Sequence, residues 1–410
     1  MTHAHSVSAA PIAGSEGEPV RQWSVLAVLA LAQLLGMSLW FTASATSAQL
    51  AERWGLDAAG TATLTTTVQI GFVAGTALAA LLNLADLVAA RRYFAVSAVL
   101  AAAANAALLL ADGAASAYVS RFLTGFFLAG VYPPAMKMAA TWFRSARGLA
   151  IGIIVGALTI GKALPYLIGA IGTPDYRVVV LTTSAGALIA AALIAATYDD
   201  GPFPFPRRAF SWGLVGVIAR HRPTRLAIGG YLGHMWELYA MWATLGSFFL
   251  YFFSRRGLGG AELAGAAGLI AFAGIAIGGV GSVMAGAWAD RWGRENVASC
   301  AMVVSGACAL TLGWLVDMPA WIVVSVAMLW GFAIVADSAQ FSALVTEVSP
   351  PHAVGTALTL QTSLGFALTA VTIWLTVVAS ERFGWGVAFS LLAVGPALGV
   401  LAMIKLKHIR

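Results

Sequence analysis

Twelve apolar stretches, each long enough to cross a bilayer, run through this chain, and they leave few folds open to it. They lie at about residues 22–46, 60–84, 92–111, 115–140, 147–171 and 177–197. After a longer break they resume at about 224–252, 262–287, 296–316, 320–346, 353–379 and 385–404. A hydrocarbon core roughly 30 Å thick needs about 20 apolar residues as helix, and a helix satisfies its own backbone inside lipid. The 410 residues are 60% hydrophobic and only 10% charged, which excludes a water-soluble domain and leaves no room for a separate catalytic one. The expected fold is all-α and integral to the membrane, with twelve transmembrane helices.

Basic residues set the expected orientation. With the N-terminus inside, the inner segments hold fifteen of the 23 Lys and Arg residues and the outer loops hold five, Arg53, Arg177, Arg255, Arg256 and Arg382. The positive-inside rule then places both termini in the cytoplasm. Residues 1–20 are polar, lack the pattern of a cleavable signal peptide and predict a disordered cytoplasmic tail; His3 and His5 within them have no metal-ligand spacing. Residues 21–198 predict one six-helix bundle and 224–405 another, with 406–410 a short tail. Between the bundles, 199–223 is a Pro-rich charged linker. Phe210, Leu214, Val217 and Ile218 at helical spacing predict an amphipathic helix over 209–220, with Arg220 and Arg222 near lipid phosphates. Cys300 and Cys308 share one apolar segment and predict small buried hydrophobes rather than a disulfide. Glycine pairs such as Gly71–Gly75, Gly152–Gly156 and Gly274–Gly278 predict close helix packing.

The two halves resemble each other. Asp86 with Arg91 and Arg92 follows the second stretch, and Asp290 with Arg291 and Arg294 follows the eighth, 204 residues later. Gly148-Leu-Ala and Gly355-Thr-Ala recur at 207. Two landmarks at nearly one offset imply an internal duplication, an architecture of transporters that hold substrate at midplane between the halves.

The run Gly286-Ala-Trp-Ala-Asp290-Arg291-Trp-Gly293-Arg294 resembles the loop motif of the major facilitator superfamily. Arg121-Phe-Leu-Thr-Gly125 followed by Gly130 is similar to that superfamily's fourth-helix Arg motif. The first-half loop departs from the pattern, with Asn83 and Ala89 in place of glycines. The resemblance implies a carrier that alternates between inward-open and outward-open states. It also implies a gating role for Asp86, Arg91, Arg92, Gly286, Asp290, Arg291, Gly293 and Arg294; interfacial anchoring is the other reading of these charges.

Ionisable residues inside spans are costly and therefore functional candidates. Glu237 lies near midplane, and His234 is three residues earlier on the same face, where the pair can share a proton. Otherwise the two stitch their helix to a neighbour. Asp337 either titrates during transport or pairs with a basic residue across the helices. Lys137 is close enough to the inner face to snorkel; Lys162 is not, though the outer face is open to it. Arg121 reads as a structural or coupling cation paired with a carboxylate or a carbonyl, and with Lys162 it could receive a substrate carboxylate. Trp40, Tyr132, Trp236, Tyr239 and Trp330 lie deep in spans as cavity aromatics, or else as packing.

These observations predict a secondary active transporter for a small organic solute, an anion among the options, with proton-coupled uptake through the inner membrane. No cofactor, metal or nucleic-acid partner is called for, and a monomer is expected. Drug/proton export is the alternative within transport, but the fifth stretch lacks the Gly-Pro pair that the superfamily's antiporters often carry. Nitrate and nitrite porters are a limited match, because the second and eighth stretches contain no arginine. A transporter fold serving as a receptor or assembly factor is the alternative outside transport. An enzyme finds no support in any metal cluster, nucleophile elbow or phosphate-cradling loop.

Overall fold

The structure, a computed structural model, describes residues 18–82, 84–143, 147–171, 175–203 and 211–409, without the side chains of residues 18–20, 85, 86, 147, 148 and 290. Most of the expected N-terminal tail, Arg144, Asn83 and the stretch 204–210 therefore lie outside the described residues. In the first half the helices are α1 (Glu18–Met37), α2 (Thr42–Ala45), α3 (Ser47–Trp54), α4 (Ala58–Leu81), α5 (Leu84–Leu87), α6 (Ala90–Ala106), α7 (Ala114–Leu128), α8 (Tyr132–Trp142), α9 (Arg147–Ala170) and α10 (Tyr176–Thr197). The second half follows with α11 (Trp212–Arg220), α12 (Arg222–Ser254), α13 (Gly260–Trp292), α14 (Arg294–Leu312), α15 (Ala320–Ala336), α16 (Ser338–Val348), α17 (Val354–Leu392) and α18 (Val394–Lys407).

Nine helical stretches among the described residues are long and apolar enough to cross a membrane. One of them, Pro351–Lys407, has 57 residues, enough for two crossings. It turns at Gly384, whose φ of 81° favours a residue without Cβ. With the shorter apolar helix Arg21–Met37 and the 33-residue α12, the fold accommodates twelve spans in two sets of six.

Several spans are broken, each for a local reason. In the first, Ser38 and Thr42 hydroxyls donate to the carbonyls of Leu35 and Leu39 at 2.7 and 3.1 Å, and Thr46 donates to Thr42 at 2.8 Å. Such back-bonding competes with the helical ladder. In the fourth, Pro133 and Pro134 have no N–H to continue the ladder from α7 and instead start α8. In the tenth, Asp337 separates α15 from α16. The starts and end of this broken pair, Ala320, Ser338 and Val348, repeat Ala114, Tyr132 and Trp142 with an offset of 206 residues. The duplication is thus visible in the backbone as well as in the loops.

The halves meet along two seams, α9 against α13 and α4 against α17. Small residues allow the first: a Cβ on Gly156 would lie 3.4 Å from the carbonyl oxygen of Gly279. The helix α11 begins at Trp212, with Ile218 buried and Trp212 and Val217 exposed. Phe210, part of its expected apolar face, lies outside the described residues. Cys308 is buried and free, but Cys300 is exposed, against expectation. Eight residues apart on a helix is about 80° of rotation, which takes Cys300 off the packed stripe of α14.

Candidate functional site

A buried cation holds the break in the first span. Arg121, on α7 and 0% exposed, donates to the main-chain oxygens of Leu39 and Trp40 at 2.9 Å each, and to Oδ1 of Asn105 at 2.5 Å. Asn105 is itself fixed by donating to Val180, Thr183 and Ser184 at 3.2, 3.2 and 2.9 Å. Carbonyls just beyond a helix C-terminus are partly negative and lack intrahelical donors, so a cation is favoured there. Of the two expected kinds of partner, Arg121 takes carbonyls.

The ring of Trp40, whose carbonyl Arg121 holds, lies over Lys162. Its centroid is 3.8 Å from the ammonium, with those of Tyr239, Trp242 and Phe366 at 4.3, 5.6 and 5.8 Å. Lys162 also donates to the Tyr239 hydroxyl, and among the described residues no carboxylate pairs with it. It is 0% exposed and about 22 Å along α9 from Arg147, with its ammonium enclosed by rings. Desolvated cation–π contacts are worth about 2 kcal/mol or more. The rings continue across the second seam: Trp40–Phe72 at 5.0 Å, Phe72–Phe366 at 4.4 Å and Tyr239–Phe366 at 5.2 Å. Rings from both halves therefore close the space between them at this depth.

A second polar cluster sits inside the second half. Glu237, 1% exposed, accepts from the Trp330 indole at 2.6 Å and from the Ser305 hydroxyl at 2.9 Å. His234, one turn earlier on α12, places Nδ1 2.7 Å from Oδ1 of Asp337 and Nε2 2.9 Å from Oγ of Ser338. His234 and Glu237 do not bond each other here; each stitches α12 to a neighbouring helix, the other of the two expected arrangements. Residues three apart on a helix are neighbours, but here each finds its partner on another helix, His234 at the α15–α16 break and Glu237 on α14 and α15. Asp337 takes the basic partner foreseen as one of its two options.

The other expected aromatics separate. Trp40 and Tyr239 stand in the inter-half layer. Trp236 instead donates to the carbonyl of Leu391 at 3.0 Å, and Trp330 packs on Phe389 with centroids 5.1 Å apart, both within the second half. Neither is among the rings that meet across the seam; from α12 it is Tyr239 that reaches it, and Trp330 is on α15. Tyr132 is half-buried at the first turn of α8, and Lys137 is half-buried further along it.

At the loop motif, Gly293 has a φ of 85° and lets the chain turn from α13 into α14. Arg294 donates to Glu347 at 2.7 Å and to Gln340 at 3.1 Å, tying α14 to α16. Arg91 donates to the carbonyl of Tyr198 at 3.1 Å and lies 3.5 Å from Asp199. Arg92 and Arg291 are exposed, and a Cβ on Gly286 would meet nothing within 4 Å. The side chains of Asp86 and Asp290 lie outside the described residues. Phe72, Phe366, Asn105 and Ser305 were not legible as site residues, since a single Phe, Asn or Ser in an apolar helix carries no pattern of its own.

Residues 28–367 match the Major Facilitator Superfamily. Among solved structures the chain is similar to a D-xylose–proton symporter, with a TM-score of 0.72 and 16% identity over 94% of this chain and 97% of that one. The nucleoside transporter NupG follows with 0.69 and 15% over 94% and 99%. A bacterial homologue of the human lysosomal transporter Spinster, inward-facing and unoccupied, gives 0.66 and 15% over 96% and 95%. A search of curated proteins found no match. The family match spans most of a chain already seen to fold as two six-helix sets around a buried seam, so this protein belongs to the major facilitator superfamily and is an integral membrane secondary transporter rather than an enzyme.

Proposed function

We propose that the chain carries a small organic solute, an anion by the character of Lys162, into the cell by proton-coupled alternating access. The observation that carries the coupling is Glu237: a carboxylate 1% exposed, with no basic partner among the described residues and only an indole and a hydroxyl donating to it. An ionised carboxylate in such surroundings is costly unless paired or hydrated, so its protonation follows the opening and closing of the path beside it. His234 and Asp337, packed one turn away, form the second titratable group. A structural relative is named as a proton symporter, which supports the fold's capacity for such coupling.

Substrate binds at the ring layer, where Lys162 and Tyr239 face each other across the seam, and the halves rock about it. Arg121 positions Trp40 rather than receiving substrate: its two terminal nitrogens are held by the main-chain oxygens of Leu39 and Trp40 and by Oδ1 of Asn105, and Nε alone has no partner. At the ends of the spans Asp290, Arg291 and Arg294 in one half and Asp86, Arg91 and Arg92 in the other hold the inner closure; the Arg294–Glu347 contact supports that part of the reading. The distribution of Lys and Arg supports placement in the cytoplasmic membrane with both termini inside.

Glu237→Gln keeps the shape and mimics the protonated form. In proteoliposomes the variant is expected to lose accumulation driven by a pH gradient while keeping counterflow exchange. Full gradient-driven accumulation in the variant removes Glu237 from the mechanism, and an absence of saturable flux in the parent protein favours the receptor or assembly-factor reading.

A further inference from the structure

The ring layer holds more hydrogen-bonding capacity than it uses. The indole nitrogens of Trp40 and Trp242, each in a residue 1% exposed, have no acceptor, and neither amide atom of Gln69, 0% exposed, has a partner. Gln69 stands on α4 between Thr65, which hydrogen-bonds Ser44 at 2.6 Å, and Phe72, which packs on Trp40. Residues at those spacings share one helix face, so Gln69 faces the broken part of the first span. Buried polar groups without partners are uncommon and call for a reason. Two of them, Trp40 and Trp242, belong to rings around one caged lysine, and Gln69 is one turn from Phe72, which packs on Trp40.

The character of the vacant groups narrows the partner. Two indoles and an amide offer N–H donors, and Lys162 adds a cation whose present partner is a neutral hydroxyl. A carboxylate would satisfy several of these donors at once. It would also replace the neutral hydroxyl acceptor of Lys162 with an ionised one, so that both partners of the bond carry charge. Lys162 is the cation that touches these rings, and the guanidinium of Arg121 is already bound to Leu39, Trp40 and Asn105, so a second carboxylate would lack a cation of its own. The walls are rings in tilted contact with centroids 4.4–5.7 Å apart, closed on one another in this state; when the halves part, the ring faces so freed can stack on a flat ring of the substrate instead.

The geometry points to a recognition site for a small aromatic monocarboxylate, its carboxylate held by Lys162, Trp40, Trp242 and Gln69 and its ring taken up between Trp40, Tyr239 and Phe366. This rests on the reading of the chain as a solute carrier and names the class of its substrate.

Purified protein titrated with benzoate and phenylacetate, against benzamide and phthalate as the neutral and doubly charged controls, tests it through tryptophan fluorescence and thermal shift. Benzoate or phenylacetate is expected to bind about tenfold or more tightly than either control. Lys162→Met is expected to erase that preference. Trp242→Phe, which keeps a ring and loses the N–H, is expected to weaken benzoate severalfold and benzamide by less; it carries the test if Lys162→Met does not fold. Equal binding of benzoate and benzamide overturns the proposal, as does benzoate affinity unchanged by both substitutions, or no binding of either acid. The titration needs no gradient, so its failure is separate from the failure of proton coupling at Glu237.

Discussion

Arg121 shows how one side chain can decide the shape of a helix some eighty residues away. Its guanidinium occupies two main-chain oxygens and an amide oxygen in the core of the first half. Arg121→Ala leaves these acceptors buried and unsatisfied, and breaking such a network costs about 3–5 kcal/mol. The expected outcome is a marked fall in the denaturation midpoint in detergent and in folded yield. Arg121→Lys should recover only part of the loss, because an ammonium is a point charge and cannot fork across the set. If Arg121→Ala instead melts like the parent and fails only in transport, the cation acts on substrate and its structural assignment is wrong. The same scale explains why His234 and Glu237 part company: each side chain has one better partner on a neighbouring helix than on its own.

Among the elements, close packing without side chains is what allows the helices to approach. A Cβ on Gly331 would lie 1.7 Å from the carbonyl oxygen of Gly274, a backbone atom that cannot move aside. Gly331→Ala is therefore expected to push α15 from α13 and lower stability by about 1–3 kcal/mol or more, read as a lower midpoint. Gly286 is the contrast, with open space where its Cβ would be. If it belongs to the gate, it is needed in the conformation opposite to this one. Gly286→Ala should then keep the folded yield and midpoint while transport falls. Unchanged transport takes Gly286 out of the gating set.

For the whole molecule, the internal duplication fixes which helices face which. Spans of equal rank in the two halves occupy equivalent places, so the broken fourth and tenth spans recur, and the seams are formed by α9 with α13 and α4 with α17. The proposed orientation is open to a direct check. In a cysteine-free background, single cysteines at Arg91, Arg220 and Arg294 are expected to react with an impermeant thiol reagent only in inside-out vesicles. Reaction of any one in intact cells reverses or breaks the assigned topology.

The number of spans, the two-fold repeat and the superfamily were all legible along the chain, because the bilayer imposes length and apolarity on every crossing segment and a repeat declares itself by offset. The ionisable residues of the core were legible too, since their cost in lipid makes them conspicuous. What each of them touches was not. Lys162 meets Tyr239, Trp40 and Phe366, residues tens to hundreds of positions apart, and Asp337 meets His234 across two helices. Such pairings depend on helix rotation and on where α1, α7 and α15 break, both set by packing between helices. Periodicity fixes which face of a helix is apolar, but in a bundle apolar on all sides it does not say which neighbour that face will meet. The tertiary structure alone decided that the cation of the first half lies in a cage of rings and that the carboxylates of the second lie beyond it.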